Sequence, residues 1–200
     1  MSHALRLFAE RGYHHTQIAD IIEAAGIARG TFYLYFDSKR AIFAELLDGL
    51  FATFENTIRP IDTTAGAPPV GEQTRANVVR VIDTMVSNRD LVRILMRAAV
   101  GLDPEFDGKV ADFYRKILSV IRGSIEAGIQ MGLVRPRDAA VAAMIVLGGL
   151  KEIAYHYLVA GDQPPSSEVV AAEFLAVVAS GLLREGQSDQ LRLLAGGAAS

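Results

Sequence analysis

The side chains best suited to chemistry cluster between positions 29 and 39: Arg29, Gly30, Thr31, Tyr33, Leu34, Tyr35 and Lys39. Phe32 and Phe36 stand four apart and share one helical face, so the other large side chains of this short segment point elsewhere. About two turns of helix carrying so many outward side chains make a poor core element and a good insert for a nucleic-acid groove. Arg29 can read guanine or grip a phosphate, and Thr31 and the tyrosine hydroxyls can bond to phosphates or base edges. Gly30 lets the backbone approach a sugar-phosphate chain. Lys39 follows Asp37 and Ser38 at a helix start, where free backbone N–H groups and a cation together can hold a phosphate. Thr16 and Gln17, opening the helix before, complete the candidate contact set.

Positioning these groups requires two helices and a tight turn. Ile18, Ile21, Ile22 and Ala25 recur at i, i+3, i+4 and i+7, which predicts a helix with one buried face beginning at an N-capping Thr16. Gly26 suits the left-handed residue that ends it, and a second short helix is expected over 28–35. Leu5, Phe8 and Ala9 predict a further helix over 4–11, ended by Gly12. The arrangement is a helix-turn-helix; the plain alternative is a small three-helix core that the tyrosines merely cover. His14 and His15 lie in the connecting turn, where adjacent side chains diverge and no third metal ligand is near, so phosphate contacts or ordinary loop roles are expected.

The run GIARGTFYLYFDSKRAIF, with residues 7–13 ahead of Thr16 and Ile18 and Ala19 within the second helix, resembles the signature of the tetracycline-repressor (TetR) family of bacterial transcription regulators. The match covers roughly positions 7–43, and the rest agrees in helical layout and length. The resemblance implies an all-α protein of about nine helices, with a three-helix DNA-binding domain over 1–39 and a larger ligand-binding and dimerisation domain over 40–200. A helix over 38–58 links the two. It further implies repression: a homodimer sets two readers on palindromic double-stranded operator DNA, and a small, largely apolar effector shifts their spacing. The family's usual Ser or Thr at the opening of the recognition helix is Ala28 here, a lost cap of typically ~1 kcal/mol. Residues 1–60 carry six basic against seven acidic side chains, and no basic run precedes the first helix. Affinity for a polyanion is therefore expected to depend on where Arg6, Arg29, Lys39 and Arg40 sit; a start further upstream, or weak and salt-sensitive binding, would follow.

Composition narrows the other classes. The chain has 200 residues, 50% of them hydrophobic and 22% charged, and a net charge of −3, which fits a globular protein and not a general nucleic-acid coat. No cysteine is present, which excludes disulfides, thiolate metal sites and cysteine nucleophiles and fits a reducing, cytoplasmic setting. The most apolar run, 139–150, is short of the ~20 residues that span a bilayer, so a buried helix and no membrane association are expected. No HExxH, phosphate-cradling glycine loop or Gly-x-Ser-x-Gly elbow occurs, and Glu152 with His156 lacks a third orienting group. The reading is a protein that is not an enzyme, with no cofactor and no metal.

Beyond the reader, periodicity predicts helices over 38–58, 74–87, 90–100, 104–131, 139–160 and 167–183, with a Pro- and Gly-rich loop over 59–71 and Asp103 capping the helix that starts at Pro104. The last two helices are rich in Ala, Val and Gly and apolar on more than one face, which predicts a subunit interface, two helices from each chain forming a four-helix bundle. A ligand cavity is expected where Phe54, Met85, Met96, Phe113, Tyr114, Ile117, Met144, Tyr155 and His156 converge, methionine supplying an adaptable wall. Core packing explains each of those residues equally well. The alternatives are a helical small-molecule-binding protein that does not touch DNA, and a transcriptional activator.

Overall fold

A computed structural model describes residues 1–98, 104–161 and 165–182. Among the described residues there are nine α-helices and no strand, as the sequence predicts: α1 (Ser2–Arg11), α2 (Ile18–Ala25), α3 (Arg29–Tyr35), α4 (Lys39–Thr57), α5 (Val70–Ser87), α6 (Arg89–Ala98), α7 (Pro104–Gln130), α8 (Ala139–Ala154) and α9 (Ser167–Leu182). The cap expected from Asp103 and the residues after 182 lie outside the described set.

Local chemistry sets most of the ends. Ser38 opens α4 by accepting from the Ala41 N–H (3.1 Å), and Asp138 opens α8 by accepting from Ala140 and Val141 (3.0 and 3.1 Å). α5 begins at Val70, earlier than the expected 74, because Gln73 folds the preceding loop onto it. The Gln73 amide donates to the Asp62 and Pro68 carbonyls (2.7 Å each) and accepts from the Asp62 N–H (2.8 Å). The single helix expected over 139–160 changes instead into a π-helical stretch, Tyr155–Ala160, ended by Gly161 at φ 113°. Arg93 of α6 reaches that stretch, donating from Nε to the Leu158 carbonyl (2.9 Å).

One continuous core runs from the N-terminal helices into the larger bundle. Phe8, Phe43 and Phe106 are at most 1% exposed, and the same cluster takes in Ile42, Leu46, Leu47, Leu50, Phe51 and Phe54 of α4, Ile94 and Leu95 of α6 and Phe113 of α7. α4 thus carries the predicted apolar stripe along its whole length. Two smaller clusters tie α5 to α9 through Ile82, Val170 and Ala171, and α7 to α8 through Ile125, Ala142 and Ala143.

The other faces of α8 and α9 remain uncovered. Val141, Met144, Ile145 and Tyr155 are exposed on α8 and its extension, and Val169 and Val177 on α9, with Ile145 at 67% and Val177 at 73%. By length and hydropathy Ala139–Ala160 could cross a membrane, and only 22% of its most apolar window is buried, so the buried helix expected over 139–150 is instead packed on α7 along one face and open along the other. A half-packed apolar helix needs something to cover its open side.

Candidate functional site

The turn between α2 and α3 is built as the sequence predicts. Gly26 adopts the left-handed conformation (φ 63°) and its N–H closes α2. Phe32, 2% exposed, plants α3 on the reader's core, with Phe36 at 6.1 Å on the same face. This orientation turns Arg29, Gly30, Thr31, Tyr33, Leu34 and Tyr35 outward, with Leu34 at 82% and Tyr35 at 77% exposure. The Arg29 guanidinium lies 5.8 Å from the Tyr33 ring centroid, a stacked position that holds it at the surface. A methyl group added at Gly30 would meet nothing within 4 Å, so no contact inside this chain requires glycine there. Ala28 supplies no side-chain cap to α3, so the first N–H groups of that helix also face outward. The surface combines a cation, hydroxyls, free N–H groups and an isolated leucine, which matches phosphates, base edges and a thymine methyl group.

Thr16 corrects the sequence reading. It does not cap α2: it is 0% exposed, and its hydroxyl lies 3.2 Å from the Leu7 carbonyl and 2.9 Å from that of Gly12, tying the turn to the end of α1. Its enclosed side chain has no surface to offer a phosphate. Gln17 is the capping residue. Its N–H donates to Asp20 Oδ2 (2.7 Å), Asp20 also pairs with Arg11 (3.5 Å), and its side chain remains exposed. Lys39 has intrachain partners that the sequence reading did not foresee. Its ammonium donates to the carbonyls of Tyr13 (2.6 Å), Thr16 (2.9 Å) and His14 (3.5 Å) and lies 4.4 Å from the Tyr13 ring centroid. Partial burial pulls its pKa below the usual lysine value, while the surrounding oxygens and ring face favour the charged form.

The reader joins the larger bundle through aromatic rings and paired charges that the sequence reading did not single out. Phe106, near the start of α7, stands edge-on to Phe43 (5.1 Å, 88°), Tyr13 lies 4.9 Å from Phe43, and the Arg40 guanidinium lies 5.7 Å from the Phe106 centroid. Two turns along, Phe51 and Phe113 stack at 4.1 Å. Lys109 bonds Asp48 (2.7 Å) on one side of that stack and Lys116 bonds Glu55 (2.8 Å) on the other. Both lysines and both acids are seven residues apart, so the pairs advance together and α4 and α7 run parallel in fixed register. That heptad spacing was the signal available in the sequence.

The residues expected to line a ligand cavity come together only in part, and those that do are packed against one another as core. Phe54 and Phe113, 5.8 Å apart, belong to the main core cluster, and Met85, Met96, Tyr114 and Ile117 pack against it, partly buried. Burial raises the Tyr114 pKa, and Lys151 lies 4.3 Å from the Tyr114 ring centroid. Met144 and Tyr155, 57% and 47% exposed, are on the open face of α8, and His156 is exposed beside Tyr157 (5.2 Å). These three do not join the others, because the side of α8 that packs inward is the one carrying Ala142, Ala143, Leu147 and Leu150. A shallow groove of about 380 Å³ lies elsewhere, between Met1, residues of α4, and Asn88 and Leu91.

Comparison with known proteins covers nearly the whole chain. The family model described as bacterial regulatory proteins, tetR family, matches residues 1–46, and the one described as tetracyclin repressor-like, C-terminal domain, matches 67–182. The HTH-type transcriptional regulator YdgC of Bacillus subtilis is 26% identical over 90% of this chain and 88% of its own length. The fatty acid metabolism regulator protein of the same organism is 25% identical over 90% of this chain and 91% of its own. Among solved structures, the transcriptional regulator FadR from Bacillus subtilis in complex with stearoyl-CoA superposes with a TM-score of 0.72 at 23% identity, covering 90% of this chain and 96% of that one.

Proposed function

This chain belongs to the TetR family of bacterial transcription regulators, and from that premise we propose a homodimeric repressor that leaves a palindromic operator when an acyl chain enters its core. The observation that carries the DNA-binding part is α3, a helix seated by Phe32 with Leu34 and Tyr35 left largely exposed. Arg29, Gly30, Thr31, Tyr33, Leu34 and Tyr35 are the groups we assign to the duplex, with Gln17 at its edge.

Dimerisation is assigned to the open faces of α8 and α9, where a second copy would cover Val141, Met144, Ile145, Val169 and Val177. The effector site is assigned to the apolar cluster of Phe54, Met85, Phe113, Tyr114 and Ile117. A long hydrocarbon entering there would press on the Phe51–Phe113 stack and so on the α4–α7 register that holds the reader. The acyl character is taken from the relatives: one is named for fatty acid metabolism and one structure contains stearoyl-CoA. We place the protein in the bacterial cytoplasm, where its operator would be.

The test is a palindromic fragment selected by the purified protein from random DNA, followed by titration of the complex with stearoyl-CoA and, separately, with coenzyme A. Release by the first and not by the second supports the reading. Absence of any selected sequence removes the regulator assignment; a complex indifferent to stearoyl-CoA removes only the acyl effector.

A further inference from the structure

We infer that Leu34 selects one thymine in each operator half-site by its 5-methyl group, which sits over the bare backbone of Gly30 between the Leu34 and Thr31 side chains. The inference rests on the DNA-binding assignment above and deepens it, from a helix that meets the duplex to the one base that its crest demands.

Leu34 sits where α3 stands farthest from its own protein. At about 100° per residue it falls roughly 160° around the helix axis from Phe32, the ring that plants α3 on the core. It is 82% exposed, so its isobutyl group contributes almost nothing to the fold. A helical leucine leans back over the turn before it, toward positions i−4 and i−3, which here are Gly30 and Thr31, both exposed. On most helices a side chain at i−4 would meet it. At Gly30 there is none, and a methyl group placed there would touch nothing within 4 Å. The crest of α3 therefore holds a notch. The Gly30 backbone forms its floor, and the Leu34 isobutyl group and the Thr31 methyl group form two of its sides.

The neighbours of that notch decide what can enter. Tyr33 and Tyr35 project roughly 100° to either side of Leu34, and the Arg29 guanidinium lies 5.8 Å from the Tyr33 ring centroid. The polar groups thus flank the crest and suit the phosphates along the groove walls. What faces the groove floor is mostly hydrocarbon. Every base edge in the major groove offers hydrogen-bonding groups, and only thymine adds an apolar one, its 5-methyl group. A guanine, adenine or cytosine edge opposite Leu34 would lose water with no partner in exchange. A thymine methyl group fills the notch and removes both apolar surfaces from water.

The experiment uses the full chain and the palindromic fragment that it selects from random DNA. Each selected thymine is replaced in turn, symmetrically in both half-sites, by deoxyuridine, which keeps every hydrogen-bonding group and lacks the methyl. The same positions are tested with 5-bromodeoxyuridine, whose bromine has nearly the size of a methyl group. Wild type, Leu34→Ala and Gly30→Ala are compared, with urea unfolding of each to establish that it is folded.

At one position in each half-site, deoxyuridine should weaken wild-type binding roughly tenfold, the loss expected for two buried methyl groups, and 5-bromodeoxyuridine should restore it. Leu34→Ala removes a wall of the notch and Gly30→Ala fills its floor. Both variants should bind the thymine fragment more weakly and hold thymine and deoxyuridine within about twofold of each other at that position. The inference is overturned if no thymine methyl group matters to the wild type, or if discrimination persists in full in Leu34→Ala or in Gly30→Ala. Each of those results leaves the DNA-binding assignment standing. If the wild type selects no DNA, that assignment fails and this inference fails with it.

Discussion

Phe51 of α4 and Phe113 of α7 stack at 4.1 Å with their rings 15° from parallel, midway between the Lys109–Asp48 and Lys116–Glu55 pairs. This is where the larger bundle meets the helix that supports the reader. Both rings are buried, while the flanking ion pairs are open to solvent, so the aromatic pair supplies most of the energy and the charges chiefly fix register.

Phe113→Ala should therefore destabilise the fold by about 3–5 kcal/mol, and Lys109→Ala by less than about 1 kcal/mol. Urea unfolding of the two variants checks the contrast. Equal losses would mean that the seam is held by charge and not by packing.

Thr16→Val retains the shape of a fully buried side chain and removes its hydroxyl from the Leu7 and Gly12 carbonyls. The cost should be about 1–3 kcal/mol in chemical denaturation. The salt dependence of operator binding should be unchanged, since the side chain does not reach the surface.

Two glycines should respond with opposite signs. At Gly30 a methyl group meets open space within the chain, so Gly30→Ala should leave stability unchanged or raise it by up to about 1 kcal/mol while weakening operator binding. At Gly128 the same methyl group would lie 2.6 Å from Val134 Cγ2, in a turn where the Leu133 and Val134 N–H groups donate to the Gly128 carbonyl. Gly128→Ala should cost about 1–3 kcal/mol. Thermal unfolding beside gel-shift assays separates the two effects.

Ile145→Glu and Val177→Glu each place a charge on an uncovered apolar face without touching the packed side of the helix. Sedimentation should show a dimer for the wild type and a monomer for both variants at micromolar concentration, with operator binding lost. Dimers that survive both substitutions would move the subunit contact away from α8 and α9.

The helices were legible because their apolar residues repeat with helical spacing, and the outward face of α3 was legible because Phe32 and Phe36 fix which side is buried. Thr16 was misread, and the carbonyl partners of Lys39 went unseen, for a shared reason. Their partners are backbone carbonyls on other elements, and such bonds leave no local pattern in side-chain type. Met144 and Tyr155 were drawn into the cavity because α8 is apolar all round, and apolarity alone does not distinguish a face packed on its own domain from one that awaits a partner. The π-helical stretch was hidden for a related reason: its residues continue the apolar pattern of α8, while its altered geometry is met by a distant arginine, Arg93.

The most direct measurement is the affinity of Arg29→Ala and Tyr35→Ala for the selected operator, made beside their unfolding free energies. Both side chains are exposed, so stability should change by no more than about 0.5 kcal/mol. Operator binding should weaken by about 1–3 kcal/mol for Arg29→Ala, and by a comparable amount for Tyr35→Ala. Full affinity at physiological salt in both variants, or a loss of binding matched by a loss of folding, would contradict the account.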